Sequence, residues 1–285
     1  MTPELDAKLR AAGLDPQAVE NLARVALAED GEIDVTSEPI FSAEQTSTGD
    51  FTAREAGVAA GIPAAETVLE LLGVHYEARV ADGDRIAAGD VLISVSGPTR
   101  AVLRAERTAL NLLTHLSGIA TATRRWTDAM AGTKARVRDS RKTLPGLRAL
   151  QKYAVRCGGG VNHRMGLADS ALIKDNHVAA AGSVTKAYEA IRAVYPALHV
   201  QVECDTLAQV EEALAAGAGS ILLDNMSIAD MTEAVRLVAG RAELEASGGL
   251  GLDGARDVAV TGVDYLAVGA LTHSARVLDI GLDFS

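Results

Sequence analysis

The second half of the chain alternates short β-prone segments with helical segments at an almost constant spacing. Four of the β-prone segments end at residues 203, 224, 246 and 268, which are 21 or 22 residues apart. This alternation predicts parallel strands, because each helix returns the chain to the same edge of the sheet. The spacing is close to the shortest that a βα barrel allows. The predicted strands are 135–138, 171–174, 200–203, 221–224, 242–246 and 265–268, and the predicted helices are 183–194, 206–216, 228–239 and 253–260.

The first 130 residues carry a different pattern. Asp15-Pro16 is typical of an N-cap followed by proline at the first position of a helix. Residues 46–60 are predicted to contain strands, residues 63–72 a short helix that ends at Gly73, and residues 74–95 extended segments joined by turns. Residues 99–130 are predicted to form one long helix, or two helices with a break at Ser117-Gly118.

The turns at residues 80–92 resemble those of biotinyl or lipoyl carrier domains. A carrier domain needs a lysine at a hairpin tip, and no lysine occurs between Lys8 and Lys134. We therefore predict a small β-rich scaffold in this region rather than a carrier.

Composition excludes several classes of protein. Apolar residues make up 48% of the chain and charged residues 23%, which excludes an intrinsically disordered chain. The formal net charge of −11 argues against a general nucleic-acid-binding protein. No apolar run approaches the ~18 residues that a membrane span needs. Two cysteines without a disulfide or zinc pattern, and an N-terminus without a signal peptide, predict a cytoplasmic protein.

Charge is distributed unevenly along the chain. Residues 134–174 contain ten Lys and Arg against two acids, a local charge of +8, and the remaining residues carry −19. A basic region inside an acidic protein indicates a site for a compact polyanion. For Arg148, Lys152 and Arg156, which are four residues apart, an exposed helix face is an alternative interpretation.

The predicted strands of the second half end in residues that can take part in chemistry. Active sites of βα barrels form at the carboxyl ends of the strands, so we expect these residues to meet. Charged residues that simply begin loops are the alternative. That alternative does not explain why bases follow the early strands, carboxylates the middle strands and glycines the last strands. The candidates are Arg138, Arg141, Lys142, Lys174, Glu203, Asp224, Ser247, Gly248, Gly249, Gly269 and Ala270.

Three kinds of group would converge at this site. The bases, with His163 and Arg164, can bind carboxylates and phosphates. Glu203 and Asp224 can bind sugar hydroxyls or Mg²⁺, directly or through water. Glycine-rich turns can offer backbone N–H groups to a phosphate monoester. We therefore expect one substrate with a phosphate, a ribose and a metal-bound pyrophosphate, and a second substrate that is acidic.

Two other motifs fit known sites less well. Residues 249–254 match the G-x-G-x-x-G pattern, but the acid that a dinucleotide site needs about 20 residues later is missing. We interpret this segment as a phosphate loop. The spacing of Cys157, His163 and His177 fits no standard zinc pattern.

One nearly continuous block of motifs resembles the signature of the quinolinate phosphoribosyltransferases, the decarboxylating nicotinate-nucleotide pyrophosphorylases. The block consists of residues 139–148 (DSRKTLPGLR), 152–156, 158–166 and 172–177. Further matches are 106–111, 117–120, 202–203, 222–226, 245–249, 262–264 and 269–274. The chain departs from the family pattern at Ser140, Leu144 and Gln201, where threonine, threonine and an acidic residue are common.

The resemblance implies an α/β fold with two domains. Residues 1–114 would form an N-terminal α/β sandwich, and residues 115–273 an incomplete βα barrel of about seven strands. Residues 274–285 would form a tail that returns to the first domain. The family also implies a homodimer, or a higher assembly, with active sites shared between subunits.

The resemblance further implies phosphoribosyl transfer from phosphoribosyl pyrophosphate to quinolinate with loss of CO₂, in de novo NAD biosynthesis and with Mg²⁺ as cofactor. The implied quinolinate ligands are Arg107 of the partner subunit, Ser140, Arg141, Lys142, His163, Arg164 and Lys174. The implied ligands of phosphoribosyl pyrophosphate are Lys142, Glu203, Asp224, Ser247, Gly248, Gly249, Val268, Gly269 and Ala270. Lys142, Lys174, Glu203 and Asp224 are the implied catalytic residues, and Glu203 and Asp224 the implied metal ligands.

Other functions remain open on the residues alone. One alternative is a related phosphoribosyltransferase that acts on nicotinate without decarboxylation, and another is a paralogue associated with molybdenum transport. Either would need fewer basic residues at its site than the binding of a dicarboxylate requires. A phosphate-binding lyase could form a Schiff base at Lys142 or Lys174, but Glu203 and Asp224 would then have no clear role. A non-enzymatic carrier or scaffold would lack the attachment lysine.

Overall fold

The computed structural model describes all residues, 1–285. They divide into two compact units that are discontinuous in sequence. Unit 1 contains residues 1–124, 143–159 and 271–285, and unit 2 contains residues 125–142 and 160–270. The domain limits given above (1–114, 115–273 and 274–285) stay a prediction. No helix has the length and apolar character needed to cross a membrane.

Unit 1 is built on a four-stranded antiparallel sheet with the strand order β12-β1-β5-β3. The last strand of the chain lies at one edge, where residues 280–284 pair with residues 49–53 of β1. A separate two-stranded ribbon joins β2 to β4. The strands are β1 (Thr46–Ala53), β2 (Gly57–Val58), β3 (His75–Ala78), β4 (Arg85–Ile86), β5 (Val91–Pro98) and β12 (Ile280–Phe284).

The helices of the first half follow the predicted signals. The Asp15 carboxylate accepts a hydrogen bond from the Gln17 backbone and caps the helix that begins at Pro16, which confirms the predicted N-cap. The helices are α1 (Pro3–Ala11), α2 (Pro16–Glu29), α3 (Ser37–Ile40), α4 (Ile62–Leu71), α5 (Thr99–Ala129) and α6 (Arg148–Cys157).

Helix α5 is continuous, so the alternative of a break at Ser117-Gly118 is wrong. The buried Ser117 hydroxyl bonds both backbone groups of Ala60. A Cβ atom at Gly118 would lie 2.2 Å from the Arg276 carbonyl oxygen. Both residues therefore serve close packing of other segments against α5, and neither ends the helix.

The turn at Asp82, which resembles a carrier-domain turn, has a structural role. Its carboxylate accepts hydrogen bonds from the backbone N–H groups of Gly61 and Ile62, at 3.0 Å each, and from the Tyr153 hydroxyl at 2.7 Å. Asp82 therefore caps the start of α4 and ties it to α6.

The three bases of helix α6 differ in exposure: Arg156 is exposed, Arg148 is half-buried and Lys152 is buried. The side chain of Lys152 is buried, with 1% of the residue exposed. Arg156 donates to the carbonyl of Ala12 beyond α1, and Arg148 donates to the Thr143 hydroxyl. The alternative of an exposed helix face is therefore wrong for Lys152, and the ten bases of residues 134–174 do not form one surface.

Unit 2 is built on six parallel strands in the order β6-β11-β10-β9-β8-β7. About seven strands were expected for a barrel of this kind; beyond β6 the chain makes only one parallel bridge, between Arg138 and Val161. The strands are β6 (Arg136–Arg138), β7 (Ala171–Ile173), β8 (Val200–Cys204), β9 (Ser220–Asp224), β10 (Glu243–Ser247) and β11 (Tyr265–Ala267).

Each strand of unit 2 begins and ends within one residue of its predicted limits. The limits could be predicted this closely because short apolar strands alternate regularly with helices that cover the sheet. The remaining helices are α7 (Asp175–Ala181), α8 (Val184–Val194), α9 (Leu207–Ala215), α10 (Ile228–Val238), α11 (Ala255–Val260) and α12 (Ala270–His273), with a 3₁₀ turn at Leu252–Gly254.

Gly118→Ala should lower the free energy of unfolding by about 1–3 kcal/mol, because the added methyl group overlaps the Arg276 carbonyl. Urea denaturation followed by circular dichroism measures the change. Gly219→Ala is the matched control, since no atom lies within 4 Å of its added Cβ, and it should stay within about 0.5 kcal/mol of wild type. Equal stabilities for the two variants would contradict this packing.

Candidate active site

The carboxyl ends of the strands in unit 2 meet at one edge of the sheet, as predicted. Ser247 pairs with Asp224 in the register between β10 and β9, and Ala267 pairs with Arg138 between β11 and β6. The residues that follow these strands therefore share one rim. All candidates of the second half belong to unit 2, from Arg138 to Ala270.

Asp139 organises the basic side of this rim. The residue is fully buried, and its carboxylate accepts hydrogen bonds from the His163 backbone at 2.8 Å and from the Asn162 side chain at 2.5 Å. These bonds hold the loop that contains His163 and Arg164 beside the end of β6. The Ser140 hydroxyl accepts a bond from the Lys142 backbone at 3.1 Å, which tightens the turn that carries Arg141 and Lys142.

Arg164 has charged neighbours of both signs, Arg141 and Asp169. Burial lowers the pKa of its guanidinium, and repulsion from Arg141 lowers it further. Its Nη1 donates to the Ser170 carbonyl at 2.8 Å, so the side chain is held in place. Two guanidinium groups that repel each other form a favourable site for an anion with more than one charge.

We call Arg141 and Arg164 the basic cluster. His163 connects this basic cluster to the interior of the sheet. Its Nδ1 accepts a hydrogen bond from the Arg164 backbone at 2.8 Å, and its Nε2 lies 2.8 Å from Oε1 of Gln201. Gln201 in turn donates to Glu245 at 3.1 Å, and Arg138 donates to the same carboxylate at 2.6 Å. Gln201 and Glu245 are not among the site residues predicted from the sequence. The signal available was position: Gln201 lies between Val200 and Val202, and Glu245 lies between Leu244 and Ala246, so each polar side chain stands between buried apolar neighbours.

The two predicted carboxylates lie at the carboxyl ends of adjacent strands, Glu203 in β8 and Asp224 in β9. Glu203 forms an ion pair with Lys174, with 2.5 Å between Nζ and Oε2. The Glu203 side chain is only 11% exposed, whereas that of Lys174 is 47% exposed. Asp224 accepts a bond from the Asn225 amide at 2.6 Å. Both carboxylates thus stand at the rim beside the basic cluster.

Gly248 is required by a close approach between two loops. Its φ of +90° lies in the left-handed region, and an added Cβ would lie 2.2 Å from Oδ1 of Asn225. Because Asn225 holds Asp224, the glycine turn after β10 fixes the end of β9 as well. Ser247 and Gly249 flank this position, and Val268, Gly269 and Ala270 follow β11, where the Val268 backbone bonds the Arg138 carbonyl at 2.8 Å.

The chain contains no group of three or more His, Cys, Asp or Glu residues that could hold a metal ion. Magnesium commonly takes one or two carboxylates from a protein and fills its other positions with water and substrate phosphates. Glu203 and Asp224 fit that donor set. A bound Mg²⁺ would therefore depend on a phosphorylated ligand for most of its coordination.

Arg107 belongs to unit 1, where it is exposed on α5. The remaining predicted residues all belong to unit 2.

The chain is similar to known proteins in both sequence and structure. Residues 34–117 and 119–283 match the N-terminal and C-terminal domains of the family described as quinolinate phosphoribosyl transferase. The chain is 54% identical over 275 residues to the nicotinate-nucleotide pyrophosphorylase (carboxylating) of Mycobacterium leprae, covering 93% of this chain and 97% of that protein. It is 40% identical to a probable enzyme of the same description from Bacillus subtilis, covering 90% of each. The crystal structure of nicotinate-nucleotide pyrophosphorylase from Ehrlichia chaffeensis is similar, with a TM-score of 0.90, 40% identity, and coverage of 93% of this chain and 98% of that one.

The crowding of Arg141 and Arg164 predicts that a small aromatic dicarboxylate stabilises the protein. At low ionic strength, phthalate should raise the Tm by about 5 °C at one hundred times its Kd, because it binds only the folded state. Benzoate, with one carboxylate, should raise the Tm less than phthalate at the same concentration. Added salt should reduce both Tm shifts. Differential scanning fluorimetry measures the shifts.

Arg164→Met should remove most of the phthalate effect. Arg236→Met is the matched control, because Arg236 is exposed on α10 and pairs only with Glu233 in its own helix. Equal shifts from benzoate and phthalate, or an unchanged shift in Arg164→Met, would contradict a dicarboxylate site here.

Proposed function

The chain belongs to the quinolinate phosphoribosyltransferase family, and from this premise we propose how its site residues divide the two substrates. Its activity is that of a nicotinate-nucleotide pyrophosphorylase (carboxylating), which converts quinolinate and phosphoribosyl pyrophosphate to nicotinate mononucleotide in NAD biosynthesis. The observation that carries the proposal is geometric: Asp139 holds the loop of His163 and Arg164 at the end of β6, directly before the turn that carries Arg141 and Lys142.

Quinolinate occupies the basic cluster in this proposal. Arg141 and Arg164 neutralise its two adjacent carboxylates, and planar guanidinium groups suit carboxylates because they can bind both oxygens. Lys174 and the Ser140 hydroxyl complete the pocket, and His163 adjoins Arg164 within it. Holding the ring in this way directs its nitrogen toward the second substrate, and such positioning can supply several kcal/mol of the barrier, on the order of 7–11 in the best cases.

Phosphoribosyl pyrophosphate occupies the acidic and glycine-rich part of the rim. Glu203 and Asp224 face the ribose hydroxyls and Mg²⁺, which when bound would neutralise the pyrophosphate and improve it as a leaving group. Lys142 lies between the dicarboxylate and the pyrophosphate. The 5′-phosphate is bound by the turns that contain Ser247, Gly248, Gly249, Val268, Gly269 and Ala270.

The reaction then proceeds in two steps. The quinolinate nitrogen forms a bond to C1 of the ribose as the bond from C1 to the pyrophosphate oxygen breaks. Glu203 and Asp224 stabilise the positive charge that develops at C1. The ring nitrogen is now positively charged, so the electron pair left by departing CO₂ is stabilised on the adjacent carbon. That carbon takes a proton from Lys142 or from water.

We also propose a homodimer whose sites are shared. Arg107 of the partner subunit would reach the quinolinate pocket and add a further positive charge to the dicarboxylate. The exposure of Arg107 on α5 supports this assignment, because a side chain that acts in another subunit is solvent-exposed in the isolated chain. Two-fold symmetry would then give two equivalent sites, each built from both chains.

Lys142→Ala should lower kcat for nicotinate mononucleotide by about 10²–10³-fold, because a charge that stabilises the leaving pyrophosphate is lost. Release of ¹⁴CO₂ from carboxyl-labelled quinolinate measures the rate. Lys134→Ala is the control, since Lys134 lies before the start of β6 and pairs with Asp264 at 2.7 Å, away from the rim. Near-normal turnover by a folded Lys142→Ala protein would contradict the assignment.

Arg107→Ala and Lys174→Ala proteins should each be nearly inactive, and a mixture of them should regain activity. A mixed dimer has one site with both residues intact, so complete random exchange gives about a quarter of wild-type activity. Product formation is measured after partial denaturation and dialysis, with native mass spectrometry to establish subunit exchange. No recovery in a mixture with proven exchange would count against the shared site.

A further inference from the structure

We propose that His163 acts on quinolinate indirectly, as a strut that holds the backbone of Arg164, and that Gln201, Glu245 and Arg138 are positioning residues behind it. This inference rests on the proposed function of Arg164 as a ligand of the substrate carboxylates. It changes the role of His163 from a substrate contact to a support, and it brings into the reaction three residues from the interior of the sheet.

The Glu245 carboxylate sets the direction of the hydrogen bonds in this network. A carboxylate only accepts, so the Gln201 amide nitrogen must face Glu245, where the distance is 3.1 Å. The Gln201 carbonyl then faces His163 and accepts from Nε2–H at 2.8 Å. A backbone N–H can only donate, so Nδ1 of His163 accepts from Arg164 at 2.8 Å.

These bonds leave His163 as the neutral tautomer with its proton on Nε2, and both ring nitrogens bind protein groups. A neutral imidazole has one donor and one acceptor. Neither nitrogen can therefore serve quinolinate without giving up a bond of the network. The ring instead joins the interior of the sheet to the peptide N–H of Arg164.

The far end of the network is rigid. Glu245 is 1% exposed, and its charge is balanced by Arg138 at 2.6 Å. The Arg138 guanidinium lies 3.5 Å from the centre of the Tyr265 ring, which restricts it further. Oε1 of Glu245 has no hydrogen-bond partner and lies 3.7 Å from Nε2 of His163. Displacing Glu245 would separate it from Arg138 and leave its buried charge without a partner, which is costly.

Arg164 is consequently held at two points. His163 fixes its backbone nitrogen, and the Ser170 carbonyl binds its Nη1 at 2.8 Å. The guanidinium is repelled by Arg141 when no anion is present, so it needs such anchors to stay aimed at the substrate. Losing the strut should weaken quinolinate binding and leave the phosphoribosyl side of the site intact.

Two variants of His163 separate a strut from a direct contact. Asparagine places an amide oxygen near the position of Nδ1, so His163→Asn keeps an acceptor for the Arg164 backbone. Glutamine places its amide near Nε2, so His163→Gln keeps a polar group toward Gln201 but has no acceptor for the Arg164 backbone. We expect KM for quinolinate to rise roughly five- to tenfold more in His163→Gln than in His163→Asn. KM for phosphoribosyl pyrophosphate should change by less than about twofold in both.

Gln201→Met tests the network behind His163. It keeps the size of the side chain and removes both hydrogen bonds, so KM for quinolinate should rise roughly fivefold. Combined with His163→Gln it should add little, because the two changes interrupt one chain of bonds. Glu211→Gln is the control, because Glu211 is exposed on α9 and contacts no residue of this network, and it should leave both KM values unchanged.

If KM for quinolinate rises more in His163→Asn than in His163→Gln, or is equal in the two variants, the proposed role of His163 as a strut is wrong. Arg164→Met distinguishes this failure from failure of the proposed function. If Arg164→Met raises KM for quinolinate strongly and the His163 variants do not separate, only the strut is wrong. If Arg164→Met leaves that KM unchanged, the assignment of the basic cluster to quinolinate is wrong as well. Circular dichroism and Tm values establish that each variant is folded.

Discussion

The buried carboxylate of Glu245 orders the interior of unit 2. It lies on β10, yet it binds Arg138 on β6 and Gln201 on β8, each two strands away in the sheet. The bonds therefore connect strands that share no backbone hydrogen bonds. A charge buried in this way costs desolvation energy that only well-placed partners offset, so removing either partner is far more damaging than replacing the whole group. The basic cluster at the rim depends on this arrangement through His163.

Local charge, rather than total charge, determines what the site binds. The chain carries −11 overall, a value that predicts no general binding of nucleic acid but says nothing about small anionic ligands. Only part of the basic segment faces the site: Arg141 and Arg164 crowd each other at the rim, whereas Lys152 is buried in unit 1. The Lys174–Glu203 ion pair shows that bases and acids also meet at the rim. Such mixed charge suits two substrates that react with each other, one a dicarboxylate and one a sugar with phosphate groups.

Much of unit 2 could be predicted from sequence because a repeating pattern specifies it. Apolar strands and amphipathic helices follow each other at fixed spacing, and the rim residues follow from the rule for strand ends. The features that could not be predicted depend on contacts distant in sequence. Gly118 looks like a helix breaker until Arg276 packs against it. Gln201 looks like an ordinary strand residue until Glu245 and His163 are placed on either side. Single-sequence patterns carry no information about such neighbours.

The pairing of β12 with β1 has a consequence for the order in which the protein is made. Residues 280–284 form an edge strand of the sheet in unit 1 and leave the ribosome after every residue of unit 2. Unit 2 is complete once residue 270 has been synthesised. Domains usually fold as they emerge, the N-terminal one first. In this chain unit 1, which contains residues 1–124, is completed after unit 2, so the nascent polypeptide carries an open sheet edge until residues 280–284 have been synthesised.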